Sequence, residues 1–278
     1  MLRKYVRLLS AVGFLALLCA PSRVSAQTSP SLGNATTYSI LAGSQVTNTG
    51  ATTIGDNVGI YPGIGPTPHF TGFGTVVLGG SVHDADVAAQ NAMGDKNTAY
   101  GALDQVCTTT YGGAFGELAG ANLVPGVYCA TSFHLSGGTL TLSGTASDTW
   151  IFKSASDLII SGGAPARVLS PSCNVWWRVV STATFDSGSS LVGNILADTS
   201  ITMAAGATLA GKALARTAEV TLSSNTVADC AIAGGGGGGA GVPTLPEWAM
   251  IALSLLLALA GAIAMRSRGS RTGPHSGL

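Results

Sequence analysis

The sequence predicts a mainly β protein: a β-helix of roughly triangular section with one long α-helix packed along one of its faces. Two observations predict it. The first is a short internal repeat. Gly188-Ser-Ser-Leu-Val-Gly193 returns 18 residues later as Gly206-Ala-Thr-Leu-Ala-Gly211, and Asn194-Ile-Leu-Ala197 returns as Lys212-Ala-Leu-Ala215 at the same step. The second is a single alanine-rich stretch that breaks the β pattern.

The repeat extends upstream. Trp177 to Phe185 aligns with Ile195 to Met203, and after one inserted residue Arg216 to Leu222 follows. Ala183, Ile201 and Val220 therefore share a column, as do Phe185, Met203 and Leu222, with Thr184, Thr202 and Thr221 between them. Apolar and hydroxyl residues alternate with a period of two, the pattern of a half-buried strand. Gly188, Gly193, Gly206 and Gly211 punctuate the strands where the chain must turn. A unit of 18 residues accommodates three short sides and their corners, and the coils stack at the inter-strand spacing of about 4.7–4.9 Å. A hairpin sandwich is the competing architecture. The fixed period and the lack of Asn-Gly or Asp-Gly turns argue against it.

The helix is expected over about residues 81–106. Ser81 followed by Asp84 reads as a capping-box-like start, and Asp84 and Asp86 suit the positive end of the dipole. Ala85, Ala88, Ala89, Ala92, Met93, Ala99, Tyr100 and Leu103 recur at helical spacing. A helix of that length runs roughly 37 Å, the height of about seven or eight stacked coils. Its alanine face lets it lie close to a sheet, with Leu196 and Leu214 as the column beneath it.

Both ends of the 278-residue chain read as targeting segments. Residues 1–26 have a basic start at Arg3, Lys4 and Arg7, an apolar run and a Val24-Ser-Ala26 cleavage site, as in a secretory signal. Leu18 before Cys19 disfavours a lipoprotein signal. At the other end, residues 234–241 form a glycine-rich linker, and residues 242–278 follow it. Within them an uncharged apolar stretch over about 248–265 is closed by Arg266, Arg268 and Arg271, the pattern of a membrane span with a cytoplasmic basic end. Residues 27–233 remain as one exported domain. It carries 12 acidic and 6 basic side chains, a net of −6, which discourages nucleic-acid binding. Its four cysteines, Cys107, Cys129, Cys173 and Cys230, suggest two disulfides. Three pairings are possible, and proximity favours Cys107 with Cys129, leaving Cys173 with Cys230.

Catalytic signals are thin, and the chain does not read as an enzyme. There is no Gly-x-Ser-x-Gly elbow and no phosphate-binding glycine loop. His69, His83 and His134 are scattered without metal-ligand spacing, so neither a metal nor a cofactor is expected. Asp148, Asp157, Asp186 and Asp198 stand apart from one another, unlike the grouped carboxylates of carbohydrate-active β-helices.

The hydroxyl residues are the unusual feature. Thr182 and Thr184, Ser200 and Thr202, then Thr221 project from successive coils on one side. Ser190 and Thr208 form a second column, and Thr47 and Thr49 offer more. A single threonine needs no function, because threonine suits strands. A stack of threonines on a rigid, nearly uncharged face is different. It holds hydroxyls and methyls about 4.7–4.9 Å apart across strands and about 6.6 Å apart along them. These spacings lie near repeats of the hexagonal ice lattice. Threonine is stiff at χ1, so the grid is ordered before anything binds.

Taken in order, several segments resemble the widespread microbial ice-binding protein family. They are Ser39-Ile-Leu-Ala-Gly-Ser44, Val46-Thr-Asn-Thr-Gly50, Gly55-Asp-Asn-Val-Gly59, the alanine-rich helix, Leu123-Val-Pro-Gly-Val-Tyr128, Trp150-Ile-Phe152, Cys173-Asn-Val-Trp-Trp177 and Gly211-Lys-Ala-Leu-Ala-Arg216. The resemblance covers about residues 32–230. It implies a right-handed β-solenoid whose coils are not stacked in chain order, the first coil lying against the C-terminal ones. It also implies adsorption to an ice crystal surface through a flat solenoid face, by a monomer. Asp157-Leu-Ile159 and Glu219 depart from an ideal hydroxyl face, and Arg178 lies on an outward position. Val242-Pro-Thr-Leu-Pro-Glu-Trp248 with the apolar stretch and arginines is similar to sorting tails of the IPTL type. That similarity implies transient anchoring in the membrane of a Gram-negative bacterium, processing by a sorting protease, and a cell-surface or secreted product. The alternative is a structural or adhesive surface module that binds polysaccharide or other cells.

Overall fold

The computed structural model describes residues 27–161 and 166–230. The expected signal peptide at 1–26, the linker at 234–241 and the membrane segment at 248–265 lie outside the described residues. Among the described residues no helix is long and apolar enough to cross a membrane.

The domain is a solenoid of parallel strands in three sides. One coil illustrates the path. Ser190–Ala197 starts on one side, bends at Gly193 onto the next, and Ile201–Met203 forms the third. Gly193 and the equivalent Gly211 have φ of 116° and 150°. A Cβ on Gly211 would stand 2.0 Å from the Gly193 carbonyl oxygen, so this vertex closes only without side chains. Along each strand inward residues are buried and outward ones partly exposed, as in Ile201, Thr202 and Met203. Ala183 and Phe185 sit beside Ile201 and Met203, and Val220 beside Ile201, in the register expected from the repeat.

The coils are not stacked in chain order. Tyr38–Ala42 pairs with Thr208–Ala215, Val46–Thr49 with Val220–Ser223, and Thr52–Ile54 with Thr226–Ala228. The first coil is thus set against the last, and the next coil outward is built from residues 70–84. Buried Asn48 and Asn225 hold the neighbouring corners. Asn48 Nδ2 donates to the Gly50 and Gly72 carbonyls at 2.8 and 3.0 Å, and Asn225 Nδ2 to those of Ala204 and Ala207 at 2.8 and 3.1 Å.

Inside the coils the core is a continuous apolar column. Toward one end it becomes aromatic, with Tyr128, Phe152 and Trp177 in sequence, the last two stacked at 4.2 Å. The bridges are Cys107–Cys129 and Cys173–Cys230, the pairing that sequence proximity favours.

The helix is shorter than the sequence pattern predicts. It spans Val87–Ala102, 16 residues rather than the segment 81–106, and runs about 24 Å. Val82–Asp84 is instead an edge strand paired with Val58–Ile60. Ala85 then adopts φ 52°, which ends the strand, and Asp86 rather than Ser81 is the N-cap, its carboxylate accepting from Ala89 N at 2.8 Å. After Leu103 the chain turns away toward the Cys107–Cys129 bridge. Among the described residues the covered side carries nine strands, so its height is about 38 Å. The helix and the non-helical residues flanking it together carry the chain from one end of the stack to the other. Ala89, Ala92, Met93, Lys96 and Ala99 are its buried residues; Ala92, Met93 and Ala99 share a core cluster with Leu41, Val127, Ile151, Trp176, Leu196 and Leu214.

Candidate functional site

With one side under the helix, two remain open. One of them is the eight-stranded sheet that runs from Phe70–Thr71 through Val46–Thr49, Val220–Ser223, Ile201–Met203, Ala183–Phe185, Leu158–Ser161 and Phe133–Ser136 to Gly116–Glu117. Its central outward column reads Thr71, Thr47, Thr221, Thr202, Thr184, Ile159, His134, Glu117. Five threonines therefore stand on five adjacent strands, a row of about 19 Å. Thr47 Oγ1 donates to Thr221 Oγ1 at 3.3 Å across 174 residues of sequence. All five are partly exposed. Among the described residues, the hydroxyls of Thr184 and Thr202 meet no protein partner, so they are available to water.

The structure brings most of the sequence-predicted residues onto this sheet. Thr184, Thr202, Thr221 and Thr47 form the central column. Ser200 and Thr182 precede Ile201 and Ala183 and form a flanking column with Glu219 and Asp157. Thr49 lies on the other flank, beside Ser223. Ser190 and Thr208 do form a column, but on the third side, with Thr226 and Thr53. They do not join the threonine row. Thr71 is the residue that sequence reasoning missed. Phe70-Thr71 echoes Val46-Thr47, but the proline-rich stretch before it hides the echo from an 18-residue search.

At the margins of this side Asp157 and Glu117 are held by protein donors, while Glu219 in the flanking column is exposed. Asp157 Oδ1 accepts from Thr182 N at 3.1 Å and Thr182 Oγ1 at 2.9 Å, and Ser156 Oγ donates to Oδ2 at 2.8 Å. Burial pushes the Asp157 carboxyl up, but bonds from Ser156, Thr182 and Ser181 outweigh it and hold the group below its ordinary value. Thr182 thus serves Asp157 and differs from the unpaired Thr184. At the far end Glu117 is opposed by burial in the same way. Bonds from Ser136 and the backbone of Ala119, Ser136 and Leu118 hold it below the usual range. There Phe115 stacks on His134 at 4.1 Å, so the row ends in an aromatic and acidic patch. Arg178 is outward but belongs to the helix side, with Nε donating to the Tyr100 carbonyl at 3.2 Å and its guanidinium over the Tyr100 ring.

Among the described residues no three His, Cys, Asp or Glu side chains converge as metal ligands would. The five threonines present hydroxyls and methyls in a row.

A sequence model described as Ice-binding-like matches residues 40–228. The chain belongs to the ice-binding-like family. An ice-binding protein of Nostoc sp. (strain HG1) is 32% identical over 231 residues, which cover 82% of this chain and 83% of that relative. One of Typhula ishikariensis is 32% identical over 223 residues, 69% of this chain and 87% of the relative. Among solved structures, an ice-binding protein from an Antarctic biological consortium superimposes with a TM-score of 0.68 at 35% identity, covering 75% of this chain and 94% of the other. This member of the ice-binding-like family also carries a match to the IPTL-CTERM motif over residues 240–267.

Proposed function

We propose that this chain is an exported ice-binding protein that adsorbs to ice through the threonine row and so restrains crystal growth and recrystallisation. The observation that carries the reading is the run Thr71, Thr47, Thr221, Thr202, Thr184 on five adjacent parallel strands of an open side. Parallel stacking sets the repeat in one direction and the two-residue strand period sets it in the other. Threonine has few accessible rotamers, so little order remains to be imposed on binding. Waters held between such side chains are shared with the outer layer of a crystal. The charged neighbours stand in the flanking column and at the far end, where Asp157 is bound by protein donors and Glu219 is exposed.

Export by a signal at residues 1–26 and sorting through the C-terminal motif belong to the same proposal. In it the tail holds the protein in the membrane until a sorting protease acts, in a Gram-negative cell, and the product works outside as a monomer.

Replacing Thr184 and Thr202 together with lysine tests the face. Ice shaping and recrystallisation inhibition should disappear while circular dichroism and the melting curve stay close to wild type. Ice shaping that survives the double change would refute this assignment of the face. Unchanged crystal growth at micromolar wild-type protein would point instead to an adhesive module.

A further inference from the structure

The threonine side is ordered more strictly in one direction than in the other. Along the stack the central column keeps one residue type over five adjacent strands, Thr71, Thr47, Thr221, Thr202 and Thr184, before Ile159 ends it. Inter-strand hydrogen bonding fixes that repeat at about 4.7–4.9 Å. Thr47 Oγ1 reaches Thr221 Oγ1 at 3.3 Å, so these hydroxyls are linked along the row. Across the row, along each strand, the next outward positions lie about 6.6 Å away. There the residue type changes at every strand. Glu219, Ser200 and Thr182 follow one another on one flank, and Ser223, Ala204 and Asp186 on the other. Glu219 and Asp186 are exposed, Ala204 has no hydroxyl, and the Thr182 hydroxyl is bound to Asp157 at 2.9 Å.

A regular line of side chains matches a line of the crystal, whereas a regular grid matches a plane. This side presents the line. Hexagonal ice has its shortest lattice repeat along the equivalent a directions, and the inter-strand spacing of about 4.7–4.9 Å approaches that repeat. Rows of this kind lie in the basal plane, in the primary prism planes and in every pyramidal plane between them. The secondary prism planes contain none. Planes that share the row differ only in contacts off the row, and specificity among them is the difference those contacts make. The threonines are stiff at χ1 and keep the line in place. The flanks, which run from alanine to glutamate, offer no second repeat that would single out one plane.

We propose that this chain recognises a row of the ice lattice and not a plane. It adsorbs to basal, pyramidal and primary prism surfaces alike, with the threonine row lying along an a direction, and it leaves the secondary prism surface bare. This inference rests on the ice-binding reading and deepens it by naming the surfaces bound. Ice growing in water is bounded chiefly by basal and primary prism faces. A single row therefore serves all the faces that such a crystal presents, without a second binding surface.

The test is adsorption of full-length protein, carrying a fluorescent label, to a hemisphere of single-crystal ice of known orientation. Fluorescence should run in rays from the basal pole through the pyramidal surfaces to each primary prism face. The secondary prism positions between the rays should stay dark. Thr202→Lys should remove the fluorescence from every ray together, because one row serves them all. Its melting curve should match wild type, and the wild-type pattern decides alone if it does not. Fluorescence confined to the basal pole, or to the prism faces, means that a plane is matched and overturns the inference. Fluorescence at the secondary prism positions overturns it as well. Folded Thr202→Lys protein that keeps any of the faces does the same, because another surface is then at work. A hemisphere that stays dark everywhere with wild-type protein sinks the ice-binding reading itself.

Discussion

The helix-covered side and the threonine side are made by the same coils. Leu196 and Leu214 stand side by side on one, and Thr202 and Thr221 on the other, a few residues further along each coil. Strand geometry and spacing are shared, and only the outward residue type differs. Leu196, Leu214, Ile151 and Trp176 would leave a broad apolar strip in water, and the helix removes it. The threonines need no cover, because each offers a hydroxyl to solvent. One side has become stability and the other has stayed available for a ligand.

Substitutions that exchange the two roles break this comparison most sharply. The largest effect is expected from Thr202→Lys at the centre of the row. Ice recrystallisation inhibition should be lost, while stability changes by about 0.5 kcal/mol or less. The same change at Thr71, on the edge strand, should weaken activity only in part. Droplet recrystallisation assays read both.

Leu214→Ala should do the reverse. It opens a cavity under the helix and should cost about 2–5 kcal/mol in denaturant unfolding, with ice activity per folded molecule unchanged.

Lys96 sharpens the picture of the covered side. It is fully buried beneath the helix, donates to the Ala197 carbonyl at 3.0 Å and lies over the Tyr100 ring. Burial lowers its pKa to about 7, with Asp198 opposing the shift and Arg216 adding to it. Between about 7 and the ordinary value of 10.5 the folded lysine binds fewer protons than the unfolded one, so stability rises with pH across that window. Below about 7 both states are protonated, and the full cost, on the order of a few kcal/mol, is present. Lys96→Met should raise the melting temperature at pH 6 and flatten the rise above pH 7. The Ala197 carbonyl keeps its bond from Arg216 N. Melting curves across pH check both outcomes.

The smallest effect is expected on the third side. Ser190→Lys with Thr208→Lys should leave both ice activity and stability near wild type. Loss of activity there would mean that the threonine row does not act alone.

Much of the architecture was legible in the chain. The 18-residue step placed Ala183, Ile201 and Val220 in one column, and alternation separated them from Thr184, Thr202 and Thr221. The alanine spacing marked the helix, but not its ends. Strand pairing claimed Val82–Asp84 because an edge of the stack was free beside Val58–Ile60. Thr182 read as an equal of Thr184, because its bond to Asp157 joins positions 25 residues apart. Thr71 was hidden because its coil does not keep the repeat.

By itself, the sequence determined which residues point inward, where the coils turn, which cysteines are near enough in the chain to pair, and that charge is scarce. These follow from local spacing and side-chain chemistry. Only the tertiary structure decided which coils are neighbours. Parallel backbone bonds fit any two coils of equal girth, so a period does not specify stacking order. The helix carries the chain along the stack and lets the first coil close against the last. That long-range choice sets Thr47 beside Thr221, and with Thr71 it turns a row of three threonines into a row of five.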